Sequence, residues 1–170
     1  MIRIEAEIDP AWGEAAPWRA LATKAVMAAA EAAGRADLLH PASPAEVSIA
    51  FTGDSELQAL NARWRGKDKP TNVLSFPMLP AGRLVAPGSA PVMIGDIAIA
   101  RGLCAAEAIA QELPFTDHAA HLIVHGMLHL VGHDHEQGDE RAEQMEAIER
   151  AALATMGIAD PYAQAERAHA

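Results

Sequence analysis

The sequence contains, between residues 125 and 135, the stretch His125-Gly126-Met127-Leu128-His129-Leu130-Val131-Gly132-His133-Asp134-His135. Its histidines follow the pattern H-x-x-x-H-x-x-G-x-x-H. His125 and His129 are four residues apart, which places both imidazoles on one face of a helix, about 6 Å apart along its axis. Gly132 can adopt a positive φ, end that helix and turn the chain back, which would bring His135 to the same point. The stretch therefore predicts a helix, a turn and a zinc site formed by His125, His129 and His135.

The ligand type indicates what such a site does. Structural zinc sites are mostly closed and rich in cysteine, whereas three nitrogen ligands leave a fourth position for water, as in zinc hydrolases. The spacing also matches the three histidines of the metzincin peptidases, which carry a glutamate base directly after the first histidine. Here that position is Gly126, which cannot take a proton. The pattern favours a hydrolase and counts against a peptidase.

Length and composition predict one soluble globular domain. The chain has 170 residues, of which 51% are hydrophobic and 21% charged, and this is enough to bury a core without disulfides. No run of about 18 apolar residues is present, and the first residues lack the plan of a signal peptide, so we expect a cytoplasmic protein. Its single cysteine, Cys104, is expected to be a small buried residue. We expect residues 1–157 to form the domain and residues 158–170 to be a polar tail.

The charge is distributed unevenly along the chain. A net charge of −10 argues against a generic nucleic-acid binder, which would normally be basic. Residues 63 to 69, however, include four basic side chains and one acidic, a local patch able to hold a polyanion. Residues 136 to 150 include six acidic and two basic side chains, which is typical of a solvated helix face.

Hydrophobic periodicity predicts strands alternating with helices. Strands are expected near residues 2–8, 47–51, 73–76 and 92–98, with Gly95 marking a bulge or a close backbone approach. Helices are expected near residues 12–33, 54–65, 101–112, 116–131 and 139–155. Asp54 or Ser55 would cap the second helix, and Gly66 would end it. Thr116 or Asp117 would cap the histidine helix. Residues 77–91 hold four prolines and two glycines, which predicts a long irregular loop.

Three segments of this chain resemble the YbeY family of bacterial endoribonucleases, also called ribosomal RNA maturation factors. The first segment is Leu60-Asn61-Ala62-Arg63-Trp64-Arg65-Gly66-Lys67-Asp68-Lys69-Pro70-Thr71-Asn72-Val73-Leu74-Ser75-Phe76-Pro77. The second is Ile94-Gly95-Asp96-Ile97, and the third is the histidine stretch followed by Glu143-Gln144-Met145-Glu146. Together they span roughly residues 47 to 150, in the order of the family.

The resemblance implies an α/β (α+β) fold with a mixed four-stranded sheet flanked by helices and a metal-binding helix near the C-terminus. It implies one zinc ion per chain at His125, His129 and His135, and cleavage of single-stranded RNA. It also implies the small ribosomal subunit as a partner, in ribosomal RNA maturation and ribosome quality control. Two positions depart from the family pattern. Asn72 replaces a usual aspartate, and His133 replaces a frequent tyrosine, so His133 could exchange with His135 as a ligand.

The family's functionally important arginine falls at Arg65. A guanidinium presents planar donors to a phosphate and can stabilise the charge that develops during phosphodiester cleavage. Alternatively, Arg65 is a surface arginine favoured by the dipole at a helix C-terminus. Arg63, Lys67 and Lys69 are expected to attract the RNA backbone.

Two questions stay open at the level of sequence. The general base could be Asp134, His121 or a metal-bound hydroxide. His121 could also be a residue of the polar helix face, could support the metal ligand one turn away, or could contact a substrate. As to function, a zinc endoribonuclease competes with a non-catalytic ribosome assembly factor that zinc stabilises and, less well supported, with a metallopeptidase.

Overall fold

Four strands form one mixed sheet in the computed structural model, which describes residues 1–134, 136 and 138–163. They are β1 (Ile2–Ile8), β2 (Ala45–Thr52), β3 (Val73–Pro77) and β4 (Val92–Ala100), in the spatial order β1-β2-β4-β3. β1, β2 and β4 run parallel, and β3 pairs with β4 antiparallel. The mixed four-stranded sheet that the resemblance implied is confirmed.

The described residues form six α-helices around this sheet. They are α1 (Ala15–Ala32), α2 (Ala36–Leu39), α3 (Asp54–Arg65), α4 (Arg101–Ala110), α5 (Phe115–Leu130) and α6 (Asp139–Thr155). A short 3-10 turn at Pro10–Trp12 precedes α1. The first helix therefore begins three residues later than predicted, at Ala15 instead of near residue 12. No helix in the described part of the chain is long and apolar enough to cross a membrane.

The two faces of the sheet carry different partners because side chains alternate along a strand. Val47, Ile49 and Ile97 lie in the main core with α1 and α5. Ala98, the neighbour of Ile97, lies in a smaller cluster with Leu57 of α3. α5 packs against β3, β4, α1, α4 and α6. The histidine helix is therefore packed on all sides, with β3 and β4 beneath it.

Two helix caps differ from the sequence prediction. Gly53 caps α3, and the Asp54 carboxylate accepts a hydrogen bond from the Leu103 amide instead (3.0 Å). Pro114 precedes α5, which begins at Phe115 rather than after Thr116 or Asp117. The reason is tertiary, because the Phe115 ring stacks on Trp12, with centroids 5.5 Å apart, inside a buried aromatic cluster.

Other predicted features are confirmed. Gly66 ends α3 with φ +68°, and α6 has the predicted bounds. A Cβ at Gly95 would lie 2.5 Å from the Phe76 carbonyl oxygen, so the backbone does approach closely there. Cys104 is buried. Between β3 and β4 the chain has no regular element, as the prolines predicted.

Candidate functional site

The site is built on one face of α5. His125 and His129 face each other with their Nε2 atoms 3.1 Å apart. Two nitrogens that each lie 2.0–2.1 Å from one tetrahedral zinc ion would be about 3.3 Å apart. The spacing therefore fits two ligands of one metal ion, although it equally suits an N–H···N hydrogen bond.

The third predicted ligand, His135, lies outside the described residues. The turn that leads to it is described, and Gly132 has φ +100°, which confirms the predicted positive φ. A Cβ there would also lie 3.1 Å from the Cβ of Ala81. Among the described residues, no group of three or more His, Cys, Asp or Glu side chains is placed to hold a metal. The three-histidine zinc site therefore stays a prediction. The structure describes two of its three predicted ligands, His125 and His129.

His133 is the extra nitrogen of the turn. Its side chain is partly buried, and burial lowers the pKa of the imidazole. A neutral imidazole has a lone pair available for a metal. The exchange of His133 for His135 as a ligand therefore remains an alternative.

A buried carboxylate from α6 supports His125. Glu149 is 1% exposed, and its Oε1 lies 2.5 Å from His125 Nδ1. Its other oxygen, Oε2, lies 3.1 Å from His121 Nε2 and accepts a hydrogen bond from the Tyr162 hydroxyl. A carboxylate on Nδ1 fixes the ring orientation and leaves Nε2 for a metal, as carboxylates do beside metal-binding histidines.

The network also determines the charge of Glu149. Burial by itself would raise the pKa of this carboxyl, but the hydrogen bonds from His121 and His125 and the electrostatic attraction of the two imidazoles together hold it far below its usual range. Burial, followed by the hydrogen bond to Glu149, raises the pKa of the Tyr162 hydroxyl. Glu149 is thus an ionised acceptor and Tyr162 a neutral donor.

Sequence reasoning missed Glu149 and Tyr162. The acidic run of residues 136–150 predicts a solvated helix face, yet Glu149 is buried. The available signal was its position, because Met145, Glu149 and Ala152 follow the i, i+4, i+7 spacing of a buried stripe. Tyr162 is the only tyrosine and lies in the predicted tail. That domain boundary stays a prediction, although Tyr162 contacts the site; residues 164–170 are outside the described part.

His121 is more than a residue on a polar face. It binds Glu149 and lies 3.3 Å from the Tyr162 hydroxyl, so it supports the carboxylate that holds His125. His118, one turn earlier, is buried and contacts the Glu107 carboxylate of α4 at 2.9 Å. Asn72, the departure from the family pattern, donates to the same carboxylate at 2.9 and 3.2 Å. An amide can donate there, whereas an ionised aspartate could not.

A cavity of about 500 Å³ joins the basic segment to the histidines. The predicted site residues that line it are Arg65, Lys67, Lys69, His125 and His129. Asp134, one candidate base, also lines it. Arg63 is not among the lining residues; it is exposed, and its guanidinium lies 5.0 Å from the Trp64 ring. The structure brings together five of the predicted residues and places Arg63 elsewhere.

Arg65 is held by β3. Its guanidinium donates to the Ser75 carbonyl and lies 5.5 Å from the Phe76 ring. The Ser75 hydroxyl in turn donates to the Gly126 carbonyl on α5 at 3.0 Å. Arg65 and the histidines are therefore linked through β3, which fixes the direction from which the guanidinium reaches the cavity.

Gly126 has a packing role. A Cβ at this position would lie 3.1 Å from both Ile97 Cγ2 and Ser75 Oγ, so the absence of a side chain lets α5 lie directly on the sheet. The position at which a metzincin carries its glutamate base is therefore occupied by the helix–sheet contact. Any side chain there would require the Ile97 and Ser75 side chains to shift by a few tenths of an ångström.

The chain is similar to known proteins along most of its length. The family model described as Endoribonuclease YbeY matches residues 11–157. A protein of that name from Novosphingobium aromaticivorans is 50% identical over 94% of this chain and 95% of its own length. Another from Rhizorhabdus wittichii is 48% identical over 98% and 99%. The solution structure of TM1509 from Thermotoga maritima has the same fold, with a TM-score of 0.52 at 22% identity, covering 92% of this chain and 91% of that one.

Proposed function

Because the chain belongs to the YbeY family of endoribonucleases, we propose that it is a zinc-dependent endoribonuclease that cuts single-stranded RNA. We further propose that it matures small-subunit ribosomal RNA in the cytoplasm and takes part in ribosome quality control, with the small subunit as its partner. One observation supports this most strongly: Arg65, Lys67 and Lys69 line the same cavity as His125 and His129.

The donor set suits zinc. His125, His129 and His135 would hold one ion per chain, with His133 as the alternative to His135. Nitrogen ligands suit zinc, and the buried Glu149 carboxylate aligns one of them (2.5 Å). When bound, the ion would supply Lewis-acid stabilisation to a phosphoryl group and favour a reactive water at neutral pH.

The chain's own residues account for the remaining requirements. Arg65 would present its guanidinium to the phosphate at which charge develops. Lys67 and Lys69 would hold neighbouring phosphates as point charges. Asp134 lines the same cavity, whereas His121 lines its neighbour, so Asp134 is the better-placed proton acceptor. Glu149 would keep His125 in the tautomer that leaves Nε2 available.

The test is cleavage of a single-stranded RNA by the purified protein before and after chelation, with zinc measured on the same samples. We expect about one zinc per chain, loss of cleavage on chelation and recovery with added zinc. His129→Ala should lose both zinc and cleavage, whereas His40→Ala, an exposed histidine outside the site, should lose neither.

The outcomes separate the competing functions. Full zinc occupancy in His129→Ala would contradict the ligand assignment. RNA binding without cleavage in the zinc-loaded protein would favour the assembly factor, since the same basic cavity would serve binding alone. Cleavage of a peptide library would favour the peptidase, against which Gly126 counts.

A further inference from the structure

The segment that follows α6 returns along that helix to the histidine site. Gly157 has φ +74° and turns the chain just after α6 ends. Tyr162 thereby comes to lie beside Glu149, and its hydroxyl donates a hydrogen bond to that carboxylate. Tyr162 also lines a cavity of about 470 Å³ that His125 borders. A residue of the C-terminal segment is therefore in contact with the network that holds a predicted metal ligand.

We propose that Tyr162 is a positioning residue of the metal site: its hydroxyl holds the Glu149 carboxylate in the orientation in which that carboxylate directs His125 toward the ion. The proposal rests on the proposed function, since it takes His125 to be a zinc ligand. It assigns part of the zinc affinity to a side chain that acts on the ion only through Glu149.

The Glu149 carboxylate needs partners on both oxygens to keep one orientation. The terminal torsion of a glutamate side chain is broad, so hydrogen bonds determine the plane of its carboxylate. Oε1 lies 2.5 Å from His125 Nδ1, and Oε2 makes the contacts with His121 and Tyr162. A hydrogen bond from the Tyr162 hydroxyl to an ionised oxygen is of the stronger, charge-assisted kind. The contacts on Oε2 thus fix the position of Oε1 and, through it, the direction of the His125 ring.

His121, the other donor to Oε2, depends on Tyr162 as well. Its Nε2 lies 3.1 Å from Glu149 Oε2, whereas its Nδ1 is buried and has no hydrogen-bond partner in the described part of the chain. The Tyr162 hydroxyl lies 3.3 Å from His121 Nε2, and the two rings meet edge to face with centroids 5.6 Å apart. Tyr162 therefore steadies both the carboxylate and the imidazole that shares it.

Tyr162 is in turn fixed to α6. Asp160 accepts a hydrogen bond from the Tyr162 amide at 2.8 Å and pairs with the Arg150 guanidinium at 3.1 Å. That guanidinium lies 5.2 Å from the centroid of the Tyr162 ring, which is a cation–π distance. Arg150 follows Glu149 directly in the sequence. The same turn of α6 thus presents the carboxylate and holds the ring whose hydroxyl orients it.

The test measures the zinc dissociation constant of the full-length protein at pH 7, by competition with a chromophoric chelator. Tyr162→Phe keeps the ring and removes only the hydroxyl. We expect zinc to bind about tenfold more weakly, the lower end of the effect of removing a group that supports a metal ligand. The free energy of unfolding of the metal-free protein is measured in parallel, because a contact that only stabilises the fold would change that quantity and not the zinc dissociation constant.

A double-mutant cycle tests the route through Glu149. Glu149→Gln should weaken zinc binding about tenfold or more, and adding Tyr162→Phe should weaken it further by less than about twofold. Thr155→Val is the control, since it removes a hydroxyl that donates to the Ala152 carbonyl at 2.7 Å, and it should leave zinc binding unchanged. Asp160→Ala should release Tyr162 and weaken zinc binding about threefold, and it provides the test if Tyr162→Phe does not fold.

An unchanged zinc dissociation constant in Tyr162→Phe would overturn the proposal, even if the protein cleaves RNA and its metal-free form loses stability. An equal effect of Tyr162→Phe with and without Glu149→Gln would overturn it too, because the hydroxyl would then act by another route. A protein that binds no zinc would overturn both this proposal and the proposed function. Weaker zinc binding that depends on Glu149 supports the positioning role even if the zinc-loaded protein cleaves no RNA, in which case only the proposed nuclease activity fails.

Discussion

At the scale of single residues, Arg65 is the side chain whose role most needs a test. The C-terminus of α3 would favour a basic residue there in any case, so position alone does not distinguish anchor from catalyst. Its guanidinium is nevertheless oriented by the Ser75 carbonyl and faces the histidine cavity. An oriented guanidinium can match a phosphoryl group in the transition state better than a flexible ammonium can.

We predict that Arg65→Lys lowers the single-turnover cleavage rate about a hundredfold, equivalent to about 3 kcal/mol. Zinc content and RNA affinity should stay nearly unchanged, because lysine keeps the charge and loses only the planar geometry. The measurement is single-turnover cleavage of a single-stranded RNA at saturating enzyme. Arg63→Lys, two residues away and outside the cavity, is the matched control; a wild-type rate in Arg65→Lys would make Arg65 an anchor only.

At the scale of elements, an ion pair ties α2 to the long segment between β3 and β4. Arg35 and Asp37 form two hydrogen bonds of 3.0 Å, with side chains 10% and 15% exposed. Arg35 also donates to the Arg83 carbonyl at 2.7 Å, and Asp37 accepts from the Val85 amide at 2.9 Å. The segment rich in proline and glycine is therefore fastened at its centre, and Val85 is buried in the core.

We predict that Asp37→Ala lowers the free energy of unfolding by about 3 kcal/mol at pH 7, because Arg35 is left buried without its partner. The hydrogen bond from Arg35 is the main reason why the pKa of Asp37 lies below its ordinary value of 3.8. As the pH falls, the Asp37 carboxyl is therefore protonated in the unfolded state before it is protonated in the folded state. The contribution of the ion pair to stability is complete above about pH 5 and is lost as the pH falls below 3.8.

Urea denaturation of the unmodified protein and of Asp37→Ala between pH 7 and pH 3 measures the difference between their free energies of unfolding. It should shrink as the pH falls, and a difference that is constant over that range would contradict the ion pair as its cause. Glu5→Ala is the control. It removes an exposed pair with Arg3 of 2.9 Å, and its effect should be below about 1 kcal/mol.

At the scale of the whole molecule, a basic cavity lies on a chain of net charge −10. The acidic surface repels RNA in most orientations and leaves the cavity as the attractive approach. This arrangement makes binding depend on a small number of phosphate contacts, among which Lys67 and Lys69 are expected to provide two.

We predict that Lys67→Ala combined with Lys69→Ala weakens binding of single-stranded RNA and makes the plot of log affinity against log salt concentration less steep by about 1.4. The cleavage rate of bound RNA should change little, because these lysines act on the ground state. Anisotropy titrations at several salt concentrations measure the slope. Arg19→Ala with Lys24→Ala, two exposed residues of α1, should leave it unchanged; an unaltered slope in the Lys67/Lys69 variant would remove these residues from the RNA contact.

The sequence by itself determined the four strands, five of the six α-helices in the described residues and one face of the site; the short helix α2 was not predicted. Period-2 alternation predicted β1 and β2, and period-3.6 spacing placed His125 and His129 together. Gly66 was expected to end α3 and Gly132 to adopt a positive φ, and both have positive φ in the structure. These features depend on neighbouring residues and on backbone sterics, so a linear pattern carries them.

Only the tertiary structure decided which charged side chains belong to the site. Glu149 sits in an acidic helix and becomes a buried partner of His125 because α6 packs on α5 and excludes water from it. Asn72, Glu107 and His118 are far apart in sequence and meet because β3, α4 and α5 converge. The energy of a carboxylate depends on burial and on its partners across the fold, and neither quantity is encoded in local spacing.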